Sequence, residues 1–164
     1  LELTPEQIKL VTARIIELGD KKEVVTREDL PYIVNDVLKH AAPDDKVRLV
    51  SYMVNKTYGL KPVAQVRLEV NGKVFEESAS GDGQYDAFGR CIRHIYKNCL
   101  AKEFPWLTNY QVGIPPGGRT DALVQTIITW NYRDKIFHTR GLDADQTEAA
   151  IKATIKMLNI INEE

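Results

Sequence analysis

The sequence predicts an α+β fold: duplicated βββα units forming a two-layer domain, preceded by a small helical segment. Three observations carry this. Apolar and polar residues alternate in runs that come in threes, and each trio is followed by a run with helical spacing. The pattern then returns after about 60 residues, the mark of an internal repeat. Ser51-Tyr52-Met53-Val54 has its counterpart in Asn109-Tyr110-Gln111-Val112, an offset of 110 − 52 = 58. Val70 and Trp130 each close an apolar strand, at 130 − 70 = 60. Phe75, Gln84 and Ala87 match Phe137, Gln146 and Ala149, each at an offset of 62 (137 − 75). On this alignment the connection after the first strand gains two residues, and the Asn71-Gly72 hairpin lengthens into Asn131-Tyr132-Arg133-Asp134.

The first element is a helix. Thr4 caps it, Pro5 takes the first helical position and Gln7 closes a capping box, with Leu3 and Ile8 placed as a hydrophobic staple. Ile8, Val11, Ile15 and Leu18 form its apolar stripe, expected to be buried, and Gly19 ends it. A second helix follows Thr26, with Leu30, Ile33, Val34, Val37 and Leu38 apolar; Pro31 requires its start near Asp29. Residues 41–46, with Pro43, form a linker. Residues 1–43 are thus a helical segment, and 44–164 the repeat domain, with units at about 47–101 and 106–162.

Each unit runs strand, strand, strand, helix. Val47–Asn55 is the first strand; Ala64, Val66, Leu68 and Val70 alternate with Gln65, Arg67 and Glu69 in the second. Asn71-Gly72 is a strong hairpin signal, and Lys73–Ser78 returns. Then comes Ser80-Gly81-Asp82-Gly83-Gln84-Tyr85-Asp86-Ala87-Phe88, a turn entering a helix, with Asp82 as the expected cap. That helix reaches about Leu100, with Tyr85, Phe88, Ile92, Ile95, Tyr96 and Cys99 on one face. In the second unit the strands are Leu107–Ile114, Ala122–Trp130 and Lys135–Arg140, with the Pro115-Pro116-Gly117-Gly118 loop between the first two. Asp143 is the expected cap of the last helix, with Gln146 three residues on; Ala149, Ala150, Ala153, Met157, Leu158 and Ile161 form its inner face. Those alanines permit close helix approach, including across a subunit interface.

Composition narrows the function classes. A net charge of −1 on 164 residues argues against a nucleic-acid or anionic-membrane surface, each of which needs a basic footprint. There is no apolar run long enough to span a bilayer and no signal peptide pattern. Cys91 and Cys99 stand eight residues apart on one helix, roughly 12 Å along its axis, too far to bridge, which favours a reducing, cytoplasmic setting. A start at Leu1 without methionine points to a piece of a longer chain. His40, His94 and His138 are scattered without metal-ligand spacing, no phosphate-binding Gly-Lys-Ser/Thr loop is present, and neither cysteine has a nucleophile's setting. No catalytic or metal-binding residues are therefore assigned. The Gly81–Gly83 helix start offers N–H groups and partial positive charge to a small carboxylate, and Asp86 offers an acceptor for an ammonium group or simply favours the helix dipole.

Three motifs carry a resemblance. Gly81-Asp82-Gly83-Gln84-Tyr85-Asp86-Ala87-Phe88, the run Tyr110-Gln111-Val112-Gly113-Ile114-Pro115-Pro116-Gly117-Gly118-Arg119-Thr120-Asp121-Ala122-Leu123-Val124, and Asp145-Gln146-Thr147-Glu148-Ala149-Ala150 resemble the C-terminal regulatory domain of the 2-isopropylmalate synthase and citramalate synthase family. Leu3-Thr4-Pro5-Glu6-Gln7 and Leu18-Gly19-Asp20-Lys21-Lys22 resemble the helical segment that precedes that domain. The resemblance implies a homodimeric, duplicated βββα regulatory domain that binds a branched-chain amino acid, leucine or isoleucine, as feedback inhibitor. It also implies a parent acyltransferase whose N-terminal TIM barrel, with a divalent metal, condenses acetyl-CoA with a 2-oxoacid; no cofactor is expected in this segment. The effector residues carried over are Tyr85 and Asp86 for the polar end, and Leu107, Tyr110, Ile114 and Val124 for the side-chain pocket, with Asp145 and Gln146 close by; the helix start at Gly81, Asp82 and Gly83 joins the polar end as the donor site read from the residues. Many isopropylmalate synthases continue this turn as Gly-Pro-Val-Asp, whereas here it is Gly83-Gln84-Tyr85-Asp86, nearer the citramalate-type pocket. A purely structural dimerisation domain is the alternative.

Overall fold

The computed structural model describes residues 2–20, 27, 30, 34, 45–114 and 124–163. Helix α1 (Pro5–Asp20) opens on the expected capping box: the Thr4 N–H donates to Gln7 Oε1 at 2.9 Å and the Gln7 N–H to Thr4 Oγ1 at 3.3 Å. It runs through Gly19 to Asp20. Its apolar stripe is not buried as expected. Val11 is buried and Ile15 half-buried, but Ile8 is 51% exposed. Of the second predicted helix, Leu30 and Val34 are helical; the rest lies outside the described residues, as do 35–44 and 115–123.

Two three-stranded antiparallel sheets follow. Strands β1 (Val47–Asn55), β2 (Val63–Val70) and β3 (Lys73–Ser80) form one, in the order β1-β2-β3, backed by α2 (Gln84–His94), which continues through a π-helical turn, Ile95–Cys99. Strands β4 (Trp106–Gly113), β5 (Val124–Tyr132) and β6 (Lys135–Asp143) form the other in the same order, backed by α3 (Gln146–Asn162). The chain is therefore α+β, built of duplicated βββα units.

The repeat is more regular than the sequence alignment suggested. Even the irregularity in the first strand is repeated: β1 is bulged between Leu49 and Ser51, and β4 between Leu107 and Asn109, an offset of 107 − 49 = 58. From β2 onward the offset is 62. Ala64, Val66, Leu68 and Val70 point into the core, as do Thr126, Ile128, Trp130 and Tyr132. Trp130 therefore matches Leu68, not Val70. The second hairpin is not longer than the first: Tyr132 pairs with Lys135, and Arg133 and Asp134 (φ 50° and 63°) make a two-residue turn like Asn71 and Gly72 (φ 50° and 83°). All four extra residues (62 − 58) thus fall between β4 and β5.

One core joins the units. Phe88, Ile92, Ile95 and Tyr96 from the first helix, Ile128 and Trp130 from β5, and Met157 and Leu158 from α3 belong to it. At the far end, the Asn159 side chain clamps β1, accepting from the Val47 N–H at 3.0 Å and donating to the Val47 carbonyl at 2.9 Å. The alanines of α3 make their close approach within the chain. A Cβ on Gly141 of β6 would lie 1.7 Å from the Ala149 carbonyl oxygen.

Cys91 is buried and Cys99 exposed, both free, and burial pushes the Cys91 thiol up to about 11. A raised thiol pKa means less thiolate and slower attack on disulfide reagents. Titration with such a reagent near neutral pH is expected to modify one thiol rapidly, Cys99, and the second only when denaturant is added. Two equally fast thiols would contradict this packing.

Candidate functional site

Two helix starts face one cleft. Gly83, Gln84, Tyr85 and Asp86 at the head of α2, Leu107 and Tyr110 of β4, and Gln146 and Thr147 at the head of α3 enclose an open space of about 450 Å³. The repeat explains the convergence, since Gln84 and Tyr85 correspond to Gln146 and Thr147 at 146 − 84 = 62.

The two starts differ chemically. Helix α3 is capped by Asp145, whose carboxylate accepts from the Thr147 and Glu148 N–H groups at 2.8 and 3.0 Å. Asp143, the cap expected from sequence, instead ends β6; it accepts from the Asp145 N–H at 3.0 Å and pairs with Lys152 at 2.8 Å. These contacts, the Asp145 N–H first, hold its carboxyl below the usual carboxylate range. Helix α2 has Gly83 at the position of Asp145 (145 − 83 = 62), and no side chain caps it. Asp82, the expected cap, pairs with Lys61 at 3.4 Å and Arg90 at 3.5 Å instead. No side chain therefore takes up the first-turn N–H groups of α2 or their partial positive charge, the arrangement that accepts a small anion.

Asp86 supplies the opposite polarity beside it. Its Oδ2 accepts from the Asp82 N–H at 2.9 Å and from Arg90 Nε at 3.1 Å. The apolar wall comes from Leu107, Tyr110 and Tyr85, the two tyrosine rings lying 5.6 Å apart and tilted by 38°. Tyr85 also stacks on Phe88 at 6.4 Å. Burial pushes the Tyr85 phenol far above its ordinary range, so it stays neutral.

The remaining sequence candidates stand apart from the cleft. Gly81 is buried behind it, where a Cβ would meet the Ala87 nitrogen at 2.4 Å, so glycine there allows the turn to press on the helix. Asp82 faces the neighbouring groove of the β1–β2 loop, and the Asp145 carboxylate is engaged in capping. Ile114 and Val124 lie at the opposite end of the β4–β5 ladder, next to the Gly113–Gln125 pair. They extend an apolar strip along the inner face of β4. Leu107, Val112 and Ile114 on that strip are 41%, 41% and 55% exposed, because α3 packs over β5 and β6. Among the described residues no group of three or more His, Cys, Asp or Glu side chains could hold a metal ion.

The family model described as "LeuA allosteric (dimerisation) domain" matches residues 24–162. The chain belongs to this family. Relatives of this LeuA domain include a protein of Archaeoglobus fulgidus with the provisional name (R)-citramalate synthase CimA, 34% identical over 158 residues, covering 96% of this chain and 31% of the relative. The 2-isopropylmalate synthase of Shewanella frigidimarina is 33% identical over 150 residues, covering 90% of this chain and 27% of its own length. That of Oceanobacillus iheyensis is 29% identical, with 97% and 30% covered. The chain thus spans about a third or less of the relatives it matches.

Two residues of the LeuA domain that line the cleft, Gln84 and Thr147, were not singled out from the sequence. The offset of 62 held the signal for both. It maps one helix start onto the other and so predicts that, if one borders a cleft between the units, its counterpart does too.

Proposed function

We propose that this LeuA domain is the feedback-regulatory and dimerisation domain of a cytoplasmic 2-isopropylmalate or citramalate synthase, and that it binds leucine or isoleucine in the cleft between its two helix starts. The supporting observation is the uncapped first turn of α2 beside Asp86, opposite an apolar wall. A zwitterionic amino acid needs donors for its carboxylate, an acceptor for its ammonium group and a shaped apolar surface. The Gln84, Tyr85 and Asp86 N–H groups meet the first need, the Asp86 carboxylate the second, and Leu107, Tyr110 and the Tyr85 ring the third. Gln146 closes the rim. Gly81, Asp82 and Asp145 hold the two turns in place, and Ile114 and Val124 continue the apolar strip.

The exposed strip on β4 favours a homodimer, since an isologous contact would cover it. Condensation of acetyl-CoA with a 2-oxoacid, and the divalent metal for it, belong to a barrel on the parent chain. The strip alone would equally suit a domain that only dimerises. Calorimetry separates the two readings: leucine or isoleucine binds saturably if the cleft is an effector site, and neither binds if the domain is structural. Asp86→Ala removes a charge-assisted contact, typically about 1.5–3 kcal/mol, so affinity is expected to fall roughly ten- to a hundred-fold. Equal affinity of Asp86→Ala and wild type would sink the assignment of Asp86 to the ammonium group.

A further inference from the structure

Behind the cleft wall, the Tyr85 hydroxyl lies 2.6 Å from Thr154 Oγ1, a contact between the two units. Thr154 is on α3, 1% exposed, and its own hydroxyl donates to the Ala150 carbonyl at 2.8 Å. A threonine hydroxyl has one proton, so in the O–O pair Tyr85 is the donor and Thr154 the acceptor. The tyrosine's only proton is therefore turned away from the cleft into the seam between the helices. Its ring is fixed in turn against Phe88 and Tyr110.

We propose that Thr154, which does not line the cleft, is a positioning residue that sets the cleft's specificity. By accepting the Tyr85 proton it pins the ring as a flat apolar wall and keeps the Tyr85 hydroxyl out of the pocket. The wall then suits a branched aliphatic side chain and gives nothing to a polar side chain of similar size. Without the acceptor, a donor would be buried unpaired, a state costly enough to turn the hydroxyl toward the water of the cleft. The pocket would become both misshapen and polar.

The effect on affinity presupposes the effector reading above, so the experiment has a ligand-free arm. Thr154→Val removes the acceptor at nearly constant shape, and Thr154→Ser keeps it. Calorimetry with leucine and isoleucine is expected to show Thr154→Val binding roughly tenfold more weakly and Thr154→Ser close to wild type. Replacing both partners leaves no orphan hydroxyl, so Thr154→Val combined with Tyr85→Phe is expected to recover most of the affinity. A merely structural threonine would lower thermal stability without this rescue. In the ligand-free arm, the Cζ resonance of isotope-labelled Tyr85 should move in Thr154→Val and stay in Thr154→Ser. If wild type binds no amino acid, the effector reading fails while the Cζ shift still reports on the positioning. If Thr154→Val leaves both affinity and the Cζ resonance unchanged, Thr154 positions nothing.

Discussion

Replacing Gly141 by alanine is expected to lower the melting temperature by on the order of 10 °C, about 3 kcal/mol for a chain of this size. The added methyl would sit 1.7 Å from the Ala149 carbonyl oxygen and 2.9 Å from the Ala153 nitrogen, both backbone atoms that no rotamer change can move aside. Helix α3 would have to lift from β6, and its buried face, Ala149, Ala153 and Met157 among it, would lose contact with the sheet. Gly89, within α2, provides the control, since nothing lies within 4 Å of its would-be Cβ. The same change there removes a glycine from a helix interior and should stabilise by about 0.5–1 kcal/mol. Thermal denaturation of both variants is the check. Equal shifts would show that the helix does not rest on Gly141.

The second large effect concerns binding. Gly83→Asp places in the first unit the residue that the second carries at Asp145. The backbone at Gly83 (φ −134°) accepts any residue, and nothing lies within 4 Å of the added Cβ. The new carboxylate should cap α2 as Asp145 caps α3, changing stability by a few tenths of a kcal/mol at about the level expected for a glycine-to-aspartate cap. It would also occupy the N–H groups assigned to the effector carboxylate and set a like charge against it. At about 4 Å and an effective dielectric of about 20, such a pair repels by about 4 kcal/mol, and partial exposure still leaves a loss of at least about a hundredfold in affinity. A folded variant that binds leucine or isoleucine as tightly as wild type would remove the α2 start from the site.

The fold was readable because each βββα unit announces itself twice, and errors in one copy are visible against the other. Misalignment arose where local chemistry imitates a turn. Asn131 suggests a hairpin, yet it pairs with Ile136 on the outer face, and Arg133 and Asp134 take the left-handed conformations instead. The caps were displaced for a similar reason. Asp143 with Gln146 and Asp145 with Glu148 both satisfy the capping pattern, and only the extent of β6 decides between them. Burial of α1 was foreseen only in part, Val11 being buried and Ile8 exposed, because an amphipathic stripe states that a face wants a partner without saying how much of it the partner covers.

The cleft was half legible. Gly83, Tyr85 and Asp86 stand out as a glycine-rich helix start, and Leu107, Tyr110 and Gln146 were carried over by the resemblance, whereas the approach of Thr147 depends on how two units meet. The Tyr85–Thr154 contact spans 69 residues and leaves no periodic trace in the sequence.

The most direct test of an effector site between the helix starts is a titration of the chain with leucine and with isoleucine, followed by nitrogen–proton NMR correlation spectra. The expected result is saturable shifts for at least one of them, largest at the amides of Gln84, Tyr85 and Asp86, with Leu107 and Tyr110 next. Saturable shifts confined to other parts of the chain, or no shifts with either amino acid, would contradict it.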